Sequence, residues 1–207
     1  MTVSEFRFIP PCRPVPAKAV PAREGRVHEL KFDGYRVQAH KMGSRVVLFS
    51  RNGHDFTERF ASIAALLREM PAKAVVLDGE IVASDADGRP NFARLHVRWT
   101  RPGAIHLWAF DLLALNGQDL CSHALVKRQV RLQVLLERFG CSAVSLSVAF
   151  ADGVALLRAA EEHRLEGVVS KRRDARYRSG DCRDWRKVKT AAWRAANKER
   201  WRLFEQG

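Results

Sequence analysis

Cysteines are few and scattered. Cys12, Cys121, Cys141 and Cys182 form no Cys-x-x-Cys pair and have no histidine cluster beside them. This excludes a zinc site and a disulfide framework and leaves reduced thiols. Long apolar runs are also missing: stretches such as Val46 to Phe49 and Ala74 to Leu77 fall far short of a bilayer span. The first ten residues hold no apolar signal core. These absences predict a cytoplasmic protein with no membrane contact. No internal repeat and no low-complexity tract is present. Acidic residues are in deficit, 23 against 36 Lys and Arg, giving a net charge of +13 and a pI of about 10.3.

That deficit is local. Between Lys171 and Arg202 there are 13 Lys/Arg and 4 Asp/Glu. Such asymmetry points to a polyanionic partner, most simply nucleic acid. The chain has 207 residues and is 46% hydrophobic, enough to bury a real core and too apolar for global disorder. Length alone allows one large domain or two small ones.

Proline marks the first boundary. Pro10, Pro11, Pro14, Pro16 and Pro21 crowd the start, and the next is Pro71. Residues 1–25 therefore cannot form a regular helix and are predicted to be an extended lead-in across the domain surface. Residues 26–190 are predicted to be the domain proper, and 191–207 a basic C-terminal stretch with a helix from Ala192 to Phe204. Val27 to Lys31 is strand-like. Tyr35, Val37 and Ala39 alternate with Arg36, Gln38 and His40, and Val46 to Phe49 return after Gly43-Ser44, which predicts a β-hairpin. Thr57 is positioned to cap a helix whose stripe is Phe60, Ile63, Ala64, Leu67 and Met70. Ala74 to Ala83 is predicted as a strand interrupted by Asp78, Gly79 and Glu80, 85–90 as a turn, 91–98 as a short helix and Ile105 to Leu113 as a buried strand. A helix over His123 to Phe139, a strand over Val144 to Phe150, a helix over Val154 to His163, and strands at Gly167 to Lys171 and Trp185 to Lys189 complete the pattern. Strands and helices mix without a βαβ rhythm, so the fold class is α+β with antiparallel sheets flanked by helices.

The most informative stretch is Glu29-Leu30-Lys31-Phe32-Asp33-Gly34-Tyr35-Arg36. A strand lysine ordinarily faces solvent. Here Gly34 allows close backbone approach, and Arg36 is near enough in sequence to disfavour a second cation, which would leave a neutral, nucleophilic amine. Glu29 or Asp33 could instead hold Lys31 in an ion pair.

This octet resembles the nucleotidyl-lysine motif of the covalent nucleotidyltransferases: ATP-dependent DNA ligases, RNA ligases and mRNA capping enzymes. Five further segments resemble that superfamily's motifs, in order: Ser50-Arg51-Asn52-Gly53, Asp78-Gly79-Glu80, Phe110-Asp111-Leu112-Leu113, Glu166-Gly167-Val168-Val169-Ser170-Lys171 and Trp185-Arg186-Lys187-Val188-Lys189. His28-Glu29 before the lysine, and the run from Glu166 through Tyr177 and Gly180 to Lys189, are similar to the bacterial end-joining DNA ligases.

The resemblance implies the ligase and capping-enzyme nucleotidyltransferase fold, which is ATP-grasp-like, with ATP and Mg²⁺ as cofactors. It implies that Lys31 attacks the α-phosphate and holds AMP, and that Lys187 and Lys189 contact phosphate. It places Arg36 and Arg51 near sugar and phosphate, Glu80 on the ribose and with Glu166 at the metal, Glu29 and Leu30 around the adenine, and Phe110 stacked on the base. Nicked double-stranded DNA is the implied partner of a monomeric protein. Lys171 to Arg186 would follow its backbone, with Tyr177 or Trp185 packing on sugar or base. Relatives of this type continue into an oligonucleotide-binding barrel, and too few residues follow Lys189 for one. The expectation is an adenylation domain without that barrel. It would seal nicks, aided by a separate DNA-binding or end-joining protein, or grip nucleotide and nicked DNA without sealing. An RNA ligase or capping-type enzyme is the third reading.

Overall fold

The computed structural model describes residues 7–83, 95 and 105–197. The turn predicted over 85–90, nearly all of the helix predicted over 91–98, and the end of the C-terminal helix lie outside them. In chain order the strands are β1 (Cys12–Pro16), β2 (Arg26–Lys31), β3 (Tyr35–Met42), β4 (Arg45–Ser50), β5 (Ala74–Ala83), β6 (Ile105–Leu115), β7 (Gln118–Asp119), β8 (Val144–Leu146), β9 (Ala149–Phe150), β10 (Gly167–Arg172) and β11 (Gly180–Lys189). The helices are α1 (Ala61–Arg68), α2 (Leu125–Phe139), α3 (Gly153–Glu162) and α4 (Ala191–Ala196).

Two sheets result, ordered β1-β11-β10-β2-β9 and β4-β3-β5-β6-β7, with β8 beside β6. Pairing is antiparallel apart from β1 with β11 and β6 with β8. The predicted hairpin is β3–β4, turned by Gly43 at φ +58. One layer of core packs α1 and α2 on the second sheet: Ile63 and Leu67 of α1 and Leu132 and Leu136 of α2 meet Val37, Leu77, Ile81 and Leu107. A smaller cluster of Cys12, Val76, Leu113, Leu125, Tyr177, Cys182 and Trp185 joins the two sheets. Each leucine buried there contributes about 1.5–3 kcal/mol.

Four local expectations are corrected. The lead-in is not merely laid on the surface: Cys12–Pro16 forms an edge strand, and Cys12 is fully buried. Thr57 does not cap a helix; its hydroxyl accepts from the Leu48 amide at 3.0 Å, and α1 starts at Ala61 with no side-chain cap. The strand predicted over Val144 to Phe150 is two strands in different sheets, divided at buried Ser147, whose amide donates to the Ala109 carbonyl at 2.7 Å. Asp78-Gly79-Glu80 does not interrupt β5, which runs unbroken and absorbs the mismatch as register shifts against β6.

Beneath the apolar face of α2 lies an ion pair that periodicity did not indicate. Arg128 grips Asp111 through two bonds, Nε–Oδ1 at 2.7 Å and Nη2–Oδ2 at 2.8 Å, and neither side chain is exposed. Removing one member strands the other charge in the interior. Asp111→Ala is therefore expected to lower stability by about 3–5 kcal/mol, seen as a lower urea midpoint.

Candidate active site

Three strand ends converge on one glycine. Lys31 closes β2, Lys189 closes β11, and Gly167, which opens β10, is in register with both. Gly167 has φ +151, and a Cβ there would lie 2.0 Å from the Val188 carbonyl oxygen. Only glycine lets the strands close this tightly. Glu166 precedes it and is thereby held between two ammonium groups. Its Oε2 accepts from Lys31 Nζ at 2.7 Å, and its Oε1 pairs with Lys189 Nζ at 3.0 Å. Glu166 is buried, while the Lys31 side chain remains 22% exposed and reaches open space.

That space is a cleft of about 900 Å³ between the sheets. Lys31, Glu29, Leu30, Arg36, Arg51, Glu80, Phe110, Glu166, Lys187 and Lys189 all line it, so every site residue expected from the sequence is brought to one place. Close approach at Gly34 helps: a Cβ there would meet the Ile81 carbonyl oxygen at 2.2 Å, which presses the turn after Lys31 against β5 next to Glu80.

The charges sort differently from the sequence spacing. Arg36 finds its partner on β5. Its guanidinium is bidentate to Asp78, at 2.9 and 2.6 Å, and donates to the Cys12 carbonyl at 2.7 Å. Burial alone would lower the Arg36 pKa, but Asp78 carries it upward. Glu29 does not hold Lys31. It is buried and accepts from Lys171 Nζ at 2.8 Å and from Gln129 Nε2 at 2.7 Å. Lys171 in turn lies 4.6 Å from the Phe110 ring centroid and 4.2 Å from that of Trp185. Lys171, Tyr177 and Trp185 are interior, so the expectation that they face DNA is wrong. The Tyr177 hydroxyl donates to Asp78 at 2.6 Å and accepts from the Cys12 amide at 3.1 Å. Burial, and then the cations around it, hold Lys187 below the ordinary lysine value. Burial also lowers Lys189, against the pull of Glu166. A cleft with this surplus of crowded cations is built to receive an anion.

A family model for the ATP-dependent DNA ligase domain matches residues 15–189. The chain belongs to that family. It is 38% identical over 172 residues to the multifunctional non-homologous end joining protein LigD of Pseudomonas aeruginosa, covering 82% of this chain and 20% of that protein. A probable DNA ligase of Sorangium cellulosum is 37% identical over 175 residues, covering 79% of this chain and 33% of that one. The chain thus spans a fifth to a third of the curated relatives named here. Among solved structures, a mycobacterial DNA ligase D complexed with ATP and MES superposes with a TM-score of 0.75 at 31% identity, covering 89% of this chain and 62% of that one. The bacteriophage T7 ligase, at 20% identity and a TM-score of 0.58, shows the shared nucleotidyltransferase fold.

The donor set of this ligase domain fits a magnesium ion. Glu80 and Glu166 are hard carboxylate donors on one cleft, and Glu80 is pushed up to about 7, first by burial and further by Glu166 and Asp78, with Lys31 and Arg36 opposing. A bound divalent cation would relieve that crowding. Among the described residues no cluster of three His, Cys, Asp or Glu could hold a metal.

The raised Glu80 value has a consequence for stability. Near pH 4 the carboxyl is neutral in both folded and unfolded chains. Between its ordinary 4.5 and about 7 the unfolded chain ionises first, so stability falls as pH rises. Glu80→Gln removes this burden. The metal-free variant is expected to be more stable than the parent by about 2 kcal/mol at pH 8, discounted for the partial exposure of Glu80, and equal to it near pH 4. Thermal melts at the two pH values check this.

Some participants were not legible beforehand. Lys171, expected to follow the DNA backbone, lies on β10 beside β2 and pairs with Glu29. Asp78 stands in a motif that implies no role for it; its pairing with Arg36 becomes visible once β3 and β5 are neighbours. Trp193, which falls in the basic helix expected from Ala192 to Phe204, lines the cleft.

Proposed function

We propose that this domain performs the adenylation chemistry of an ATP-dependent DNA ligase. The observation that carries the reading is the Lys31–Glu166–Lys189 chain at the mouth of the one cleft that gathers all the expected site residues. Lys31 Nζ gives up a proton, for which Glu166 Oε2 is a close acceptor, and attacks the α-phosphorus of ATP. The N–P bond forms, the bond to the bridging β-phosphate oxygen breaks, and pyrophosphate leaves with the electron pair. Lys187, Lys189 and Arg51 face the growing phosphate charge in a cleft where each cation is worth more than in bulk water. Phe110 stacks on the adenine, Glu29 and Leu30 border it, and Glu80 and Arg36 reach the ribose side. Glu80 and Glu166 would hold Mg²⁺, which when bound neutralises the triphosphate oxygens.

AMP then passes to DNA. A 5′-phosphate oxygen at a nick attacks the AMP phosphorus, the N–P bond breaks and Lys31 recovers its electron pair. The 3′-hydroxyl next attacks the 5′-phosphorus and expels AMP, sealing the strand. The test is sealing of two substrates, a nicked duplex with ATP and a nick already carrying AMP. The reading expects both to be joined; failure on both overturns it as a sealing enzyme and leaves a binding module.

The duplex would lie against exposed Arg173, Arg176, Arg178 and Arg183, which point out where Tyr177 and Trp185 point in. Such contacts hold phosphate without reading bases. For roughly five phosphates neutralised, log affinity should fall with log salt at a slope of about −4 to −5. Changing these four arginines to glutamine should flatten that slope in a salt titration of nicked-duplex binding.

A further inference from the structure

Trp193 lies beyond the last lysine motif and outside the matched family region, yet it touches both sides of the reactive centre. Its ring centroid is 3.7 Å from Lys189 Nζ. Its Nε1 donates to Asp33 Oδ2 at 3.1 Å, two residues after Lys31. The same side chain therefore bridges the end of β2 to the end of β11.

The helix that carries it is fixed on purpose-built anchors. Thr190 caps α4: its hydroxyl donates to the Leu165 carbonyl at 2.7 Å and accepts from the Trp193 amide at 3.2 Å. The Thr190 amide donates to the Glu166 carbonyl at 3.0 Å. Both oxygens of Glu161, on α3, accept from α4, from the Ala191 and Ala192 amides at 2.7 Å each. The start of α4 is thus tied to the residue that holds Lys31 and to the helix behind it. A ring delivered this way sets where Lys189 can sit.

We infer that Trp193 is a positioning residue for the nucleotide: its ring holds the Lys189 ammonium in line with Glu166 so that it meets the triphosphate of ATP. This rests on the proposed adenylation function. A lysine on a four-carbon stem loses rotamer freedom when it binds phosphate. A preformed cation–π contact removes part of that cost before ATP arrives. The ring does not touch the reacting atoms, so its loss should appear in ATP binding and leave the chemical step alone.

Two variants isolate the ring. Trp193→Phe keeps an aromatic face over Lys189 and loses only the N–H to Asp33. Trp193→Leu keeps an apolar side chain but has no π face. The rate of the single pyrophosphate release per chain is measured before steady state across ATP concentrations, its limiting value standing for kcat and its half-saturating ATP concentration for KM, with thermal melts to confirm that both fold. Trp193→Leu should raise the KM for ATP about tenfold with kcat within about twofold, while Trp193→Phe stays within about threefold of the parent in both. Equal KM values for the two variants, or a loss confined to kcat, overturns the assignment. The parent is assayed first: if it forms no AMP adduct, the adenylation reading itself fails. A parent that charges normally beside a Trp193→Leu variant with unchanged KM sinks only the role of Trp193.

Discussion

Lys31→Arg is expected to abolish the covalent AMP adduct completely while the protein still folds and still binds ATP. Arginine keeps the positive charge, so Glu166 retains a cation beside Oε2 and the buried carboxylate is not left with Lys189 alone. What arginine cannot supply is a lone pair, since its guanidinium stays protonated at any usable pH. The substitution therefore separates charge from nucleophilicity, which Lys31→Ala would not. ATP affinity should change by no more than a few fold, because Lys187, Lys189 and Arg51 remain. Adduct formation by intact mass and nucleotide binding by calorimetry are the two readouts. An adduct that persists in Lys31→Arg places the nucleophile elsewhere.

Gly167→Ala is expected to damage the site and the fold together. The residue has φ +151, and its Cβ would stand 2.0 Å from the Val188 carbonyl oxygen and 2.8 Å from Lys189 Cα. Both obstacles are backbone, so no rotamer change relieves them. Left-handed strain and overpacking each cost about 1–3 kcal/mol, so a loss of about 3 kcal/mol is expected in a denaturant titration. The catalytic loss should be larger than the stability loss alone explains. Moving β10 away from β11 separates Glu166 from Lys189, and a displacement of about 1 Å at such a site costs about a hundredfold in rate. Assays at a temperature where the variant is fully folded distinguish the two effects.

Much of this was legible in the chain, for a specific reason. The chemistry needs particular side chains at strand ends, and two-residue periodicity marks those strands. Lys187 and Lys189 fall on one face by spacing alone, and the stripe from Phe60 to Met70 names the buried side of α1 before any fold is known. Partner choice was a different matter. Glu29 and Lys171 are 142 residues apart, and nothing local to either reveals the other. Local spacing instead favoured Glu29 with Lys31, because both lie on one face of β2, but each meets a different partner there, Lys171 for Glu29 and Glu166 for Lys31. Tyr177 and Trp185 looked like surface aromatics because arginines surround them. Alternation in an edge region hides this: Arg176 and Arg178 go out, Tyr177 goes in, and its hydroxyl finds Asp78. Val144 to Phe150 has the pattern of one strand, and only the tertiary fold assigns its two halves to different sheets.

The proposed mechanism requires that Lys31 become covalently charged with AMP. It is tested most directly by incubating the protein with Mg²⁺ and ATP labelled at the α-phosphate, then mapping labelled peptides. The prediction is one AMP per chain, on the peptide containing Lys31, lost in mild acid as a phosphoramidate is, with one pyrophosphate released for each AMP retained. Label on Lys187, Lys189 or any other residue, or a protein that stays unlabelled while pyrophosphate is absent, would contradict it.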